Sequence, residues 1–560
     1  VTPFTKHTTE DAASVSSAPA VRFISAAIAL NIPFLVCHPD WPLVTAPFIR
    51  SLAINCVLFV VPGVPVVNAM TRMGWLRQAQ GLWLVFLSLV TFMATIVIRH
   101  VIGTPVTAGG VWLWAWVATN LGILLNVLPG GPRRWSIALP GKQIRSVALV
   151  FVVAYAVFFF GATRVVPILG DQDDEVQGTA YGLLTHLKPS LLTGRNTEYL
   201  FAHPPLLHMS VAGSILYYDK LDEFAVYDSL SPNRLTLEQA YQRYAQHPYL
   251  LETRTPNLFF AAFAVVLMWG WAGRMTGSAW FAALVTAVYA TSPEVFVRSS
   301  YGGYFAIGAM CLLHMLLAVD SWMSDPSRLN RRSALLAGAM AAVADHKMML
   351  LPGAVVAWEF LRARRWNVGG VARALRHPVV LGFAAGLSLF WLYGLSISPR
   401  DFWMDHVRHH LVDRVLNYNA RGLNMAAYPS VPALWLEFIR HTGYLFLPLG
   451  TLALGVLCFA RLSDDAVETD RPAHGWRGIV GVWAVWAVVT AVAFSIIDWR
   501  QTKHLAPLMF PLTLGIASAG RGLPMRKVLG VLMFALLLWN VRMLYLLTLD
   551  FNVLPAVPEW

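Results

Sequence analysis

The sequence predicts an all-α polytopic membrane protein. Hydrophobic residues make up 57% of the 560 positions, the mean hydropathy is +0.56, and 22 residues are Trp. No globular core could bury that much apolar side chain. Apolar runs of about twenty residues recur along the chain, and each is long enough to cross a bilayer as a helix. We count about fifteen such segments, near 22–38, 50–68, 81–98, 110–128, 146–168, 256–272, 279–296, 303–320, 333–346, 347–362, 379–397, 441–460, 477–497, 505–519 and 528–547.

Basic residues predict the orientation of these segments. The formal charge is +12, and Lys and Arg cluster in short connectors, which places those connectors in the cytoplasm. The basic connectors are 72–77, 133–145, 328–332, 362–376 and 521–527. This charge does not indicate nucleic-acid binding, because no basic stripe with interleaved aromatic residues is present.

The orientation divides the chain into regions. These are a cytoplasmic tail at 1–21, a four-helix membrane prefix at 22–128 and a membrane core at 146–548, with two long extracytoplasmic connectors in that core at 169–255 and 398–440. An apolar stretch at 205–218 is short for a span, so we interpret it as a juxtamembrane or re-entrant helix. No small-residue cleavage site follows the first apolar run, which we therefore expect to remain as a span.

Four carboxylates follow the segment at 146–168, namely Asp171, Asp173, Asp174 and Glu175. On a helix, Asp171, Asp174 and Glu175 share one face, and Tyr181 and Leu184 can lie at the membrane interface. Adjacent carboxylates there could take a proton from an acceptor hydroxyl, in a place shielded from water. The alternative is a helix start, where Asp and Glu complement the macrodipole and cap free N–H groups.

Three motifs, in order, make the sequence resemble a known family. Asp174-Glu175 follows the first core segment, His203-Pro204-Pro205-Leu206 comes next, and Arg254 precedes the following segment. This order resembles the polyprenyl-phosphate-dependent glycosyltransferases of the GT-C fold, especially the protein O-mannosyltransferases and the lipid A aminoarabinose transferases. The resemblance covers residues 146–548 and implies a GT-C type helical bundle with juxtamembrane helices on its outer face.

The resemblance also implies a function. A sugar would pass from a polyprenyl-phosphate donor to a hydroxyl-bearing acceptor on the extracytoplasmic face, and we expect inversion at the anomeric carbon. Asp174 would be the base, Glu175 would assist it, and Arg254 would bind the donor phosphate with its planar fork. The alternative for Arg254 is a snorkelling side chain at a helix end. The implied location is a bacterial inner membrane, with a cell-envelope glycan, lipid or protein as acceptor.

The chain differs from the family pattern at two places. Ala202-His203 stands where the aminoarabinose transferases have Glu-Lys, which argues against that donor sugar. The connector 398–440 is too short for the soluble β-trefoil domain that O-mannosyltransferases usually carry, which argues against an acceptor protein read by such a domain. The prefix 22–128 has no counterpart in the pattern.

Further charged and polar residues near predicted membrane boundaries are candidate ligands, because charges in membrane segments are expensive. We expect the donor phosphate to be bound also by His203, His346, Lys347 and Lys503. The possible substrate contacts are Asp171, Asp173, Tyr181, Arg298, Arg500 and His504. An Asp345–Lys347 pairing is the alternative for Lys347, and headgroup anchoring is the alternative for Arg500, Lys503 and His504.

The connector 398–440 contains a predicted amphipathic helix on the outer leaflet. Trp403, Val407, Leu411 and Val415 form its apolar i, i+4 stripe. His406, His410 and Asp413 would suit a metal, although an interfacial helix seldom encloses one. The cysteines show no metal-ligand spacing. We therefore predict no metal site and no firmly implied cofactor, and a divalent metal stays an alternative.

The rival hypothesis is a transporter or lipid flippase that uses the same intramembrane charges. It should show inverted repeats, or broken Gly/Pro helices in matching halves. The sequence shows no such repeat, and the long connector 169–255 suits alternating access poorly. A glycosyltransferase is the favoured interpretation, while its sugar and acceptor stay open.

Overall fold

The computed structural model describes most of the chain. The described residues are 19–41, 43–73, 82–127, 141–164, 173–188, 190–191, 198–199, 201, 203–224, 250–363, 368–413, 430–464, 476–496 and 502–549. They are almost entirely helical, as the sequence predicts. The two short strands, β1 (Ser190–Leu191) and β2 (Glu198–Tyr199), pair antiparallel with Ser190 opposite Tyr199.

The helices fall into two compact units, which are residues 1–147 with 212–224, and residues 148–211 with 225–560. In chain order the helices are α1 (Pro19–Val36), α2 (Pro47–Phe59), α3 (Gly63–Arg72), α4 (Leu82–Ile102), α5 (Ala108–Val127), α6 (Gly141–Ala162), α7 (Asp173–His186), α8 (Leu206–Tyr217), α9 (Leu221–Phe224), α10 (Leu250–Thr276), α11 (Ala279–Thr291), α12 (Pro293–Ser300), α13 (Phe305–Ser324), α14 (Arg328–Ala344), α15 (Leu350–Ala363), α16 (Val368–Leu375), α17 (Pro378–Ile397), α18 (Pro399–Phe402), α19 (Val431–Thr442), α20 (Phe446–Asp464), α21 (Trp476–Ile496), α22 (Thr502–Leu505), α23 (Met509–Ala519) and α24 (Leu523–Leu549).

Within the described residues, nine helices are long and apolar enough to cross a membrane, or ten when α11 and α12 count as one bent span. The multi-span, all-α prediction is confirmed, whereas the count of about fifteen is not. The span predicted near 279–296 bends by 63° where α11 gives way to α12, since Pro293 has no N–H to continue the helix. The span predicted near 505–519 is similarly interrupted, by a 3-10 turn at Ala506–Leu508.

The first unit is held together largely by neutral groups. Asn31 Nδ2 on α1 donates to Asn120 Oδ1 on α5 at 3.0 Å, and Trp116 Nε1 donates to Asn31 Oδ1 at 2.8 Å. The second half of α8 packs on α2, where a side chain at Gly213 would overlap Leu58. Small residues and amide hydrogen bonds of this kind hold membrane helices together.

In the second unit, α10 and α13 are the central helices. In their apolar windows 61% and 72% of the residues are buried, compared with 28% in α17. Helix α10 contacts α7, α11, α12, α13 and α23. Helix α17 packs closely on α14 at Gly382 and Gly386, where any side chain would overlap the α14 backbone. Side chains near the ends of α10 and α13 can therefore be buried inside the second unit, as a site in that unit requires.

Candidate functional site

Helix α7 carries the predicted carboxylates. It begins at Asp173, so Asp174 and Glu175 lie in its first turn, where negative charge complements the free N–H groups and the dipole. The side chains of Asp173, Asp174 and Glu175, and the whole of Asp171, lie outside the described part of the structure. Their predicted roles stay predictions.

The rest of α7 is packed inside the protein. Tyr181 is 4% exposed and Leu184 is 2% exposed. The prediction that these two residues lie at the membrane interface is therefore wrong, because both side chains are buried inside the protein. A substrate contact by Tyr181 stays a prediction.

The starts of α7 and α10 are joined by a buried hydrogen bond. Gln177 Nε2 donates to Thr253 Oγ1 at 2.8 Å. The next residue, Arg254, is 1% exposed, and its Nη1 donates to the carbonyl of Ala162 at 2.9 Å. Ala162 ends α6, where unsatisfied carbonyls favour a cation. The structure thus brings the carboxylate turn of α7 and Arg254 to adjacent helix starts. The alternative of a snorkelling Arg254 is wrong, because the side chain is buried.

A loop of four residues, Tyr301-Gly302-Gly303-Tyr304, connects several of the candidates. We call it the YGGY loop; it lies between α12 and α13. Asn257 on α10 donates through Nδ2 to the Tyr301 carbonyl, and Arg298 Nη1 donates to the Tyr301 hydroxyl at 2.9 Å. One end of the loop is therefore fixed to α10, one turn after Arg254.

The other end of the YGGY loop holds the His-Pro-Pro-Leu element, His203–Leu206. The His203 ring stacks on the Tyr304 ring, with centroids 3.7 Å apart and 22° between planes. The Tyr304 hydroxyl and His208 Nε2 are 2.6 Å apart, and His208 is fully buried in α8. The same loop thus contacts His203 at one end and, at the other, Asn257, which lies one turn after Arg254 on α10.

Arg298 lies in a polar cluster at the break between α11 and α12. Its Nε binds Glu294 Oε1 at 3.0 Å, and its Nη2 lies 3.4 Å from Thr502 Oγ1. Glu294 Oε2 also lies 3.3 Å from His441 Nδ1. The Tyr301 hydroxyl is a further acceptor, so all three nitrogens of the Arg298 guanidinium face protein groups. This geometry favours a role in holding the YGGY loop, and it disfavours the predicted substrate contact.

Lys347 lies on a 3-10 turn, His346–Met349, between α14 and α15. Its backbone N–H donates to Asp345 Oδ1 at 3.0 Å. Asp345 is 4% exposed. Asp345 thus caps the turn that presents Lys347, which is partly exposed. The side chain of His346 lies outside the described residues.

Helix α22 carries two more candidates. His504 is 6% exposed, and its ring lies 5.1 Å from the Phe494 ring. Headgroup anchoring by His504 is therefore wrong, since the ring is buried in protein. Lys503 is partly exposed, so both of its interpretations stay open. Arg500 lies outside the described residues.

The predicted amphipathic helix of the second connector takes another form. Residues Trp403–Asp413 form a π-helix, in which hydrogen bonds join i and i+5, so an i, i+4 stripe loses its register. Trp403 is 56% exposed, whereas Val407 is 8% exposed and His406 is 1% exposed. The prediction that Trp403 and Val407 share one apolar face is therefore wrong. Val415 and the side chains of His410, Leu411 and Asp413 lie outside the described part.

Within the described residues, no group of three or more His, Cys, Asp or Glu could hold a metal ion. The His406 ring instead stacks on Phe402, with centroids 5.1 Å apart. Burial lowers the pKa of His406 to about 4, although a hydrogen bond with the Phe201 backbone raises it. His406 is therefore a neutral, packed residue and not part of a solvated face.

Sequence reasoning missed several residues that build this site, chiefly Gln177, His208, Tyr304 and Asp405. Two glycines between two tyrosines mark a loop, and that pattern could have singled out Tyr304. Asp405 carries no local signal, because its partner, Phe201, is 204 positions away.

Comparisons with known proteins give structural likeness alone. No family model matches the sequence, and no curated protein matches it. A crystal structure of ArnT from Cupriavidus metallidurans bound to undecaprenyl phosphate superposes with a TM-score of 0.48 and 15% identity, over 74% of this chain and 67% of that one. The apo state of the same enzyme gives 0.43 and 16%, over the same shares.

Proposed function

We propose that the protein is a membrane glycosyltransferase of the GT-C type, which moves a sugar from a polyprenyl phosphate to an acceptor hydroxyl. The observation that carries this proposal is the Gln177–Thr253 hydrogen bond. It joins the turn that bears Asp174 and Glu175 to the turn that bears Arg254. A candidate base and a candidate phosphate ligand, far apart in sequence, are thereby brought to neighbouring helix starts.

The proposed reaction is a single displacement. The Asp174 carboxylate takes the proton of the acceptor hydroxyl, with Glu175 assisting. The acceptor oxygen forms a bond to the anomeric carbon as the bond from that carbon to the phosphate oxygen breaks, which inverts the configuration. Polyprenyl phosphate leaves with the electron pair, and Arg254, Lys347 and His203 stabilise its charge.

The remaining ligands follow the same proposal. His346 and Lys503 also contact the donor phosphate, while Asp171, Asp173, Tyr181, Arg500 and His504 are candidate substrate contacts. The acceptor is a cell-envelope glycan, lipid or protein at the extracytoplasmic side of a bacterial inner membrane. Undecaprenyl phosphate, the lipid in one ArnT structure, is the natural probe.

The test is mass spectrometry of lipid-linked sugars and envelope glycans in cells that express either the wild type or Asp174→Asn. We expect Asp174→Asn to accumulate one polyprenyl-phosphate sugar and to lose one glycan modification. Asp222→Asn is the matched control, because Asp222 is an exposed carboxylate in the same predicted connector. Unchanged lipid and glycan pools in Asp174→Asn would overturn the proposal.

A transporter or lipid flippase is the second candidate, and one observation favours it. Helices α11 and α12 form a broken apolar segment, and the buried Glu294–Arg298 pair follows the break. Broken helices with charged groups are typical of transporters. Sugar transfer by purified protein in detergent, where no transport is possible, would exclude transport as the sole activity.

A further inference from the structure

The segment around Phe201 lies between two parts of the second unit. On one side, β2 contacts α18. On the other side, His203 stacks on Tyr304 of the YGGY loop. Phe201 stands between these contacts and is fully buried. Whatever holds Phe201 therefore determines where the His-Pro-Pro-Leu element begins.

Two consecutive residues of the π-helix bind the main chain of Phe201. The Phe201 N–H donates to Asp405 Oδ2 at 2.7 Å, and His406 forms a hydrogen bond with the Phe201 backbone. The distance to Asp405 is short, as expected for a charge-assisted hydrogen bond. A buried backbone N–H that lost its acceptor would be strongly unfavourable, so Asp405 restricts where this part of the chain can lie.

The aromatic rings reinforce the same contact. Phe201 packs edge-to-face on Phe402, with ring centroids 5.4 Å apart and 74° between planes. The two rings belong to one buried cluster with Phe390 and Val407. His406 covers that cluster through its stack on Phe402. The side chain and the main chain of Phe201 are therefore held by the same stretch, residues 402–407.

We propose that Asp405 is a positioning residue for the donor-phosphate site, which it supports by holding Phe201 and hence His203 in place. The proposal rests on the proposed function, in which His203 contacts the phosphate of the lipid. Asp405 acts through the Phe201 main chain and itself contacts no substrate. A residue of the second predicted connector thereby orients a ligand that belongs to the first.

The experiment compares three variants of the full-length protein in detergent. Asp405→Ala removes the acceptor for the Phe201 N–H. Asp405→Asn keeps a side-chain oxygen that can accept the same hydrogen bond. Asp401→Ala is the matched control: Asp401 is a nearby carboxylate whose Oδ2 accepts from the Ser398 hydroxyl at 2.7 Å, so its loss should leave Phe201 undisturbed.

Two measurements are made on each variant. The first is hydrogen exchange at the Phe201 amide, followed in overlapping peptides that cover residues 201–206, in which Pro204 and Pro205 contribute no amide hydrogen. The second is the Kd of undecaprenyl phosphate. For Asp405→Ala we expect faster exchange at Phe201 and a Kd roughly tenfold higher. We expect Asp405→Asn and Asp401→Ala to remain close to the wild type.

Three outcomes would overturn the proposal: unchanged exchange at Phe201 in Asp405→Ala, equal loss of lipid binding in Asp401→Ala, or faster exchange throughout Asp405→Ala that Asp405→Asn does not restore. The proposed function fails separately, when the wild type itself does not bind the lipid. The role of Asp405 in the donor site would fall with it, whereas the exchange data would still decide whether Asp405 holds Phe201.

Discussion

The two units of the protein differ in the kind of polar residue that they bury. In the described part of the first unit, the buried polar residues are neutral, namely Ser51, Asn55, Asn68, Ser88, Thr119 and Ser214. In the second unit, Arg254, Glu294 and Asp345 are all at least 96% buried. Neutral amides suffice to associate membrane helices, whereas buried charges are expensive. Helix packing alone therefore does not account for the buried charges of the second unit. The residues of the proposed site also belong to that unit.

The buried charges of the second unit also differ from one another. Glu294 and Arg298 balance each other across 3.0 Å. Arg254 donates to the Ala162 carbonyl at the end of α6, beside the helix start that bears the proposed carboxylates. We expect the Glu294–Arg298 pair to matter most for stability, and Arg254, as a ligand in the proposed function, to matter most for binding an anionic lipid.

The largest expected effect is on stability, from Glu294→Ala. The substitution leaves the Arg298 charge buried without its carboxylate, which should lower the free energy of unfolding by about 3–5 kcal/mol. The double variant Glu294→Ala/Arg298→Met should recover much of that loss. Thermal unfolding in detergent measures both. A loss in the single variant below about 1 kcal/mol, the range of an exposed pair, would contradict the assignment.

The next effect is on lipid binding. Arg254→Ala should weaken binding of undecaprenyl phosphate roughly 100-fold, because charge-assisted hydrogen bonds to phosphate are strong. Arg254→Lys should lie between, since it keeps the charge and loses the planar fork. Arg164→Ala is the control, because Arg164 is exposed and lies just after α6. Equal losses in both alanine variants would show a general charge effect instead of a site.

A smaller effect is expected from pH at His406. The unfolded side chain has a pKa of about 6.5, and burial lowers the folded pKa to about 4. The unfolded state therefore binds the proton more readily, so stability is complete above about pH 6.5 and falls as the pH drops towards 4. At pH 5.5 the loss should be about 1 kcal/mol. Unfolding curves of His406→Gln should lack this part of the pH dependence. If stability of the variant depended on pH as in the wild type, the assignment to His406 would be refuted.

The smallest effect is expected in the first unit. Asn31→Ala removes neutral hydrogen bonds, which are worth about 0.6 kcal/mol on average in membrane proteins. Lipid binding and sugar transfer should stay at the wild-type level. Loss of transfer with intact stability would break the comparison between the units and give the prefix a direct role in function.

Much of the architecture follows from local patterns. Apolar runs near the length of a bilayer predict the helical, multi-span fold. The acidic cluster at 171–175 is typical of a helix start, which the structure has at Asp173. Arg254 is a candidate because its place before an apolar segment matches the order of motifs in the family that the sequence resembles. Each of these features depends on residues that are close in sequence.

The remaining features depend on distant contacts. The stripe at Trp403 and Val407 assumes α-helical spacing, and a π-helix changes which side chains share a face. Arg298 looks free in the sequence, but Glu294 and Thr502 surround it in the fold. Asp405 and Phe201 meet across 204 positions. No periodicity within a single segment contains that information.

The most direct test of the central claim uses purified protein in detergent. It is supplied with lipid-linked sugars and acceptor, both extracted from cells that lack this protein. Mass spectrometry follows the appearance of free polyprenyl phosphate and of the glycosylated acceptor. The account predicts that the wild type releases the lipid phosphate as it glycosylates the acceptor, and that Asp174→Asn does neither. Equal turnover by Asp174→Asn, or no transfer by the wild type, would contradict it.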